Sequence, residues 1–297
     1  MAESGKHTPE TGSVEDPEGL LEREDHMQGM ERIEMRVVRI DRPVPSVARV
    51  IGHIAPQDPA AWTPPNQAIR IAVAQPEGQR PVMRVYTVRR FDPATGLLEI
   101  DFILHGDDSP AMRWLHDARP GTLLPMIGPR QHVVPLPVEG KRAAIFADET
   151  AIPAVWAILN AWTPAAWTQG LESDVWIETA DPAAFDELPR PEGLNLHLLL
   201  RVEGEPAGAT GHLAAAARTI SDPGACVIWA AGERQEMRRI REHFRAAGVP
   251  RDQLQVVGYW KLGISGTELD RVRLAEYAAL LAKGRTLADL SDDELPI

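Results

Sequence analysis

With a single cysteine, Cys226, in 297 residues, the chain cannot carry a disulfide framework, a cysteine-ligated zinc or an iron–sulfur cluster. That cysteine stands in the apolar run ACVIWAA, where it reads as a small buried hydrophobe rather than a reactive thiol. No stretch approaches the ~20 apolar residues of a membrane span. The start also lacks the apolar core of a signal peptide, so a cytoplasmic protein with no membrane partner is expected. There is no GxGxxG, hence no Rossmann fingerprint for a dinucleotide. Basic charge is scarce, with 31 Lys and Arg against 43 Asp and Glu and a net −12. Residues 1–31 hold nine acidic and two basic side chains and residues 267–297 hold seven and four, which leaves only −2 on the body between. A near-neutral body with acidic ends excludes the basic footprint of a nucleic-acid binder. No triad or carboxylate dyad suggests acid–base catalysis, and no catalytic side chain or metal ligand is assigned.

What is present divides the chain into parts, since 297 residues suggest two cores rather than one. Residues 1–31 are polar, acidic and without apolar period, and read as a disordered extension. From 32 to 138 short strands are separated by turn residues: MRVVRI, VARVIGHI, AIRIAVAQ, VMRVYTVRRF and LLEIDFIL. Strands so closely spaced predict an antiparallel β-barrel or sandwich. One helix interrupts them near Ser109 to Asp117, with Ser109 as its cap and Pro110 at its first position. From 139 to 266 strands and helices alternate, which predicts a parallel-sheet α/β domain, doubly wound. Residues 267–297 read as a C-terminal helical tail that packs along its apolar face.

The run Arg84-Val85-Tyr86-Thr87-Val88-Arg89 carries the chemistry. A strand of this composition offers an aromatic ring, a hydroxyl and two guanidinium groups on alternating sides. Those are the groups a flavin dinucleotide needs: a ring to stack on the isoalloxazine, a hydroxyl for its polar edge, an arginine fork for the pyrophosphate.

From Arg84 to Arg130, and again at FADETAIPA (146–154), WAAGE (229–233) and GYWKLG (258–263), the chain resembles the siderophore-interacting protein family. These are FAD-dependent ferric-siderophore reductases related to ferredoxin–NADP reductases. The resemblance covers roughly residues 33 to 265 and keeps the family's motif order. It implies an FAD-binding barrel over 32–138 and an NAD(P)H-binding-like domain over 139–266. It further implies that FAD is bound by Arg84, Tyr86, Thr87, Arg89, Asp101, Phe102, Leu104, His105, Ala111, Met112 and Trp114. Ser109-Pro110-Ala111 departs from the family's Gly-Pro-Ala, and a serine can cap a helix but does not readily take a glycine's positive φ. The donor side falls on Asp148, Glu149, Thr150, Gly232 and Glu233, with NADPH, NADH or reduced ferredoxin as the source of electrons. Arg70, Arg130 and Lys261 are implied as a cationic rim for an anionic ferric siderophore. The expected activity is electron transfer from the donor through flavin to Fe(III), carried out by a monomer. Two alternatives stay open here: a flavin reductase of the same superfamily with another acceptor, and a non-catalytic siderophore-binding protein.

Overall fold

A computed structural model describes residues 29–104, 108–167, 170–202 and 204–284. Most of the acidic extension, His105 and the last thirteen residues of the tail lie outside them.

Six strands close an antiparallel barrel in the order β1-β2-β5-β4-β3-β6. They are β1 (Glu31–Val44), β2 (Val47–His53), β3 (Gln67–Ala74), β4 (Val82–Asp92), β5 (Leu97–Ile103) and β6 (Leu123–Gln131). Strict alternation makes β3 the plainest of them. Its residues are buried at every second position, and Ile69 and Ile71 point into a core shared with Met35, Leu98 and Phe102. The pattern in the sequence hides β6, because Pro125 and Pro129 remove two ladder donors. The fold accommodates them with a bulge: Ala68 of β3 faces Arg130 while Arg70 faces Ile127, so the pairing skips Gly128 and Pro129. Glycine is required at 128, since a Cβ there would lie 2.7 Å from Ile69 Cγ2. Between β5 and β6 runs α1 (Pro110–Asp117), capped by Ser109 as expected.

The second half is a five-stranded parallel sheet of order β11-β10-β7-β8-β9. Its strands are β7 (Arg142–Asp148), β8 (Ser173–Thr179), β9 (Leu194–Leu200), β10 (Cys226–Glu233) and β11 (Leu254–Trp260). The connecting helices are α2 (Ile152–Asn160), α3 (Pro182–Asp186), α4 (His212–Ala217) and α5 (Arg234–Ala246). All eight residues of β10 are buried, as a central parallel strand covered on both faces requires. Cys226 is among them, and burial pushes its thiol above the ordinary value. The strand order reverses between β7 and β10, so the crevice at their carboxyl ends is the topological switch point.

The halves are knitted together. Val44 and Val47 of the barrel belong to the same apolar cluster as Ile145 and Trp229 of the sheet. Ser46 N donates to Asp181 at 2.9 Å, and Trp229 Nε1 donates to the Val133 carbonyl at 2.9 Å. A last helix, α6 (Gly266–Ala282), returns to the barrel, where Arg84 Nη2 donates to Thr267 Oγ1 at 2.8 Å. Val272 on this helix is 39% exposed.

Candidate functional site

Period two separates the motif strand β4 into two faces. Thr87 and Arg89 point toward the sheet domain and Arg84 and Tyr86 the other way. On the first face, the Arg89 guanidinium lies 4.2 Å over the Trp156 ring of α2. It pairs with Asp101 at 2.8 Å and with Glu187 at 3.6 Å. Asp101 also takes Arg49 at 2.7 Å, and Arg49 reaches Glu187 at 2.7 Å, so two arginines and two carboxylates form a closed cluster across the domain interface. Burial pushes the Arg89 guanidinium below its ordinary value, even with Asp101 attached. For Arg49, hydrogen bonds to Asp101 and Glu187 outweigh burial and hold it above. Arg89, which the resemblance places among the FAD-binding residues, is 95% buried in this cluster.

Next to it, the Tyr259 hydroxyl shares hydrogen bonds with the side chains of Thr87 and Asn66, and its burial pushes it above the ordinary tyrosine value. Asn66 holds a left-handed φ of 59°, donates to the Val133 carbonyl at 2.6 Å and is 1% exposed. The Tyr259 ring meets His132 edge-on at 5.8 Å. Burial, with Arg130 beside it, pushes His132 below the usual histidine value. Asn66, His132, Tyr259 and Glu187 are not singled out from the sequence as site residues, and Trp156 reads there as a core residue. The Pro-Pro-Asn turn and the family-like GYWKLG run were the signals available for Asn66 and Tyr259.

On the other face, Tyr86 stays half-buried, its ring 4.3 Å from Phe102, which in turn stacks on Trp114 of α1 at 5.5 Å. Arg84 is held by Thr267 and by its bond to the Met83 carbonyl at 2.8 Å. The first turn of α1 adds Ala111 and Met112, with Met112 N donating to Ser109 Oγ at 3.4 Å. Phe102 is fully buried and Asp101 nearly so, so both face the interior and the ion cluster rather than open space. Leu104 N is bound to the Ser46 carbonyl at 2.8 Å. His105 lies outside the described residues.

Arg130 stands two residues before His132 and Lys261 two after Tyr259, whose rings lie 5.8 Å apart. Arg130 is exposed and Lys261 half-exposed. Arg70 lies further along β3, half-buried and already in contact with a partner.

At the carboxyl edge of the sheet, Asp148 accepts from Thr150 N at 2.9 Å, from the Thr150 hydroxyl at 2.5 Å and from Trp260 Nε1 at 2.7 Å. Gly232 is required opposite it, since a Cβ there would lie 2.7 Å from the Asp148 carboxyl. Burial pushes the Asp148 carboxyl up to about 6, against the pull of these donors. Unfolded, the group ionises at about pH 4, so between the two values the unfolded chain holds fewer protons and stability falls as pH rises. Asp148→Asn removes that loss. Its stability relative to wild type should therefore climb by roughly 3 kcal/mol between about pH 4 and pH 7 in urea unfolding. Parallel pH profiles for the two proteins would contradict this.

A barrel followed by a parallel switch-point sheet recurs in other solved structures. The ferredoxin reductase of carbazole 1,9a-dioxygenase shares it at a TM-score of 0.59 and 16% identity, over 78% of this chain and 68% of that one, a likeness of fold alone. Residues 34–133 match the siderophore-interacting FAD-binding domain and residues 141–263 match the siderophore-interacting protein domain, so the chain belongs to the siderophore-interacting protein family. It is 38% identical to the ferric acinetobactin reductase of Acinetobacter baumannii, over 93% of this chain and 94% of that one. It is 31% identical to the ferric vibriobactin reductase of Vibrio cholerae, over 67% of this chain and 74% of that one. The structure of the siderophore-interacting protein from Acinetobacter baumannii superposes with a TM-score of 0.79 at 38% identity, covering 86% of this chain and all of the other. The chain is an FAD-dependent oxidoreductase of the ferric-siderophore reductase type.

Proposed function

We propose that the chain reduces the ferric ion of an anionic siderophore in the cytoplasm, drawing electrons from NADPH, NADH or reduced ferredoxin. The observation that carries this reading is that one strand presents a half-buried ring and a held guanidinium on one face and a fixed hydroxyl on the other. That donor set fits a flavin dinucleotide in chemistry: aromatic, hydrogen-bonding and doubly anionic. When bound, FAD supplies a store of two electrons that can be released singly.

The chain's own residues do the rest. Tyr86 offers the stacking face, and its ring is steadied by Phe102 and Trp114 behind it. Thr87 presents a hydroxyl whose orientation is set by Tyr259. Arg84 supplies a fork for phosphate oxygens, and Leu104, His105, Ala111 and Met112 are the further contacts that the family resemblance implies. Arg89 and Asp101 support from behind, by holding β4 against α2. Arg130 and Lys261, with Arg70 at the periphery, attract the siderophore by charge. Asp148, Glu149, Thr150, Gly232 and Glu233 line the donor's side. Among the described residues no helix is long and apolar enough to cross a membrane.

Replacing Arg130 and Lys261 together with glutamate tests the rim. The apparent KM for an anionic ferric siderophore should rise, because attraction at an exposed rim contributes ~1 kcal/mol per charge and weakens with salt. Reduction of a neutral quinone should change little, and the double variant should lose the wild-type dependence on ionic strength. Equal effects on both acceptors would remove the rim from the account.

A further inference from the structure

In an open parallel sheet a pyrophosphate docks at the carboxyl edge, on helix N-termini whose backbone N–H groups lack partners. Here four N–H groups of this edge are taken by the chain's own carboxylates. After β7, Thr150 N donates to Asp148 at 2.9 Å. After β10, Gln235 N and Glu236 N both donate to Glu233 Oε2, at 2.7 and 3.0 Å. At α4, Ala214 N donates to Glu236 Oε1 at 3.0 Å. These three carboxylates are 5%, 2% and 2% exposed, so they are built into the fold rather than draped over it.

The edge is also covered. Trp260 closes on Asp148, and Leu262 N donates to Glu233 Oε1 at 3.2 Å. The segment around Gly208 presses on both, for a Cβ there would lie 2.6 Å from Glu233 Cγ and 2.9 Å from the Trp260 ring. Thr210 donates to Glu178, which is 1% exposed, at 2.8 Å. Arg201, the buried cation of this edge, faces Glu149 at 2.7 Å and Glu178 at 3.7 Å. A phosphate entering here would have to displace a buried carboxylate, and Arg201, already paired with Glu149 and Glu178, would have to leave those partners to meet it.

We infer that a nicotinamide donor is recognised through its dihydronicotinamide ring alone, with no grip from this edge on its pyrophosphate, adenosine or 2′-phosphate. NADH, NADPH and reduced nicotinamide mononucleotide are then equivalent donors. This rests on the reading of the chain as a reductase that accepts a nicotinamide donor. Each dihydronicotinamide oxidised reduces two ferric ions, releases one proton and leaves as the nicotinamide cation.

The test uses the FAD-loaded protein in two measurements. Titration calorimetry with ADP-ribose and with 2′,5′-ADP should show no saturable binding up to millimolar concentration. Initial rates of ferric-siderophore reduction with the three donors at equal concentration should agree within about threefold, less than the tenfold that ~1.4 kcal/mol of extra binding confers. Micromolar binding of either fragment, or a dinucleotide preferred over the mononucleotide by about tenfold or more, overturns the inference alone. Oxidation of none of the three donors overturns the donor reading beneath it, and the inference with it.

Discussion

Replacing Asp101 with alanine is expected to destabilise the protein by about 3–5 kcal/mol, because it strands two guanidinium groups inside the domain interface. Arg89 is only 5% exposed, and Asp101 is its closest carboxylate at 2.8 Å. Glu187, at 3.6 Å, would be left to serve both arginines. Thermal unfolding should show a Tm lower by roughly 10 °C in a chain of this size. The cost belongs to the unpaired charge rather than to the pair itself. Arg89→Met combined with Asp101→Leu should therefore recover much of the loss, since a buried pair exchanged for apolar groups of like volume is often neutral. An Asp101→Ala protein that melts with wild type would show that water already reaches the cluster.

Tyr86→Ala and Arg84→Ala are expected to lower FAD affinity tenfold to hundredfold each, while leaving the fold intact. Loss of a charge-assisted bond to phosphate costs about 1.5–3 kcal/mol, and loss of a stacked ring face is of similar size. Both side chains are half-buried and neither belongs to the ion cluster, so unfolding temperatures of the apoproteins should change little. Arg89→Ala should behave in the opposite way and lose stability first. Fluorescence titration of the apoproteins with FAD measures the difference. Wild-type affinity in both variants would remove β4 from the cofactor site.

The contrast between Arg84 and Arg89 marks how far the sequence could be read. Alternation along VMRVYTVRRF shows that Arg84 and Tyr86 share a face and that Arg89 is on the other. It does not show what lies across from each face. Trp156 and Glu187, which enclose Arg89, come from 67 and 98 residues away in sequence, and no local pattern announces them. The strands with clean alternation, the Ser109 cap and the fully apolar β10 were legible because short-range rules govern them. β6 was not, because its prolines contradict strand propensity and only pairing with β1 and β3 on both sides holds it. At the sheet edge, the sequence places Asp148, Glu149 and Glu233 on the donor's side but not their partners. Glu233 caps α5 locally, whereas Glu236 reaching Ala214 N of α4 is a matter of tertiary packing.

The central claim is that the strand bearing Tyr86 and Thr87 holds a flavin that passes electrons to siderophore-bound iron. It is tested most directly by the visible spectrum of the FAD-reconstituted protein under anaerobic conditions, before and after a nicotinamide donor, and again after a ferric siderophore. The account predicts a yellow protein that bleaches with the donor and regains its colour with the siderophore, while Fe(II) is trapped by a chelator. A protein that stays colourless with excess FAD, or one that bleaches but is not reoxidised by the ferric siderophore, would contradict it.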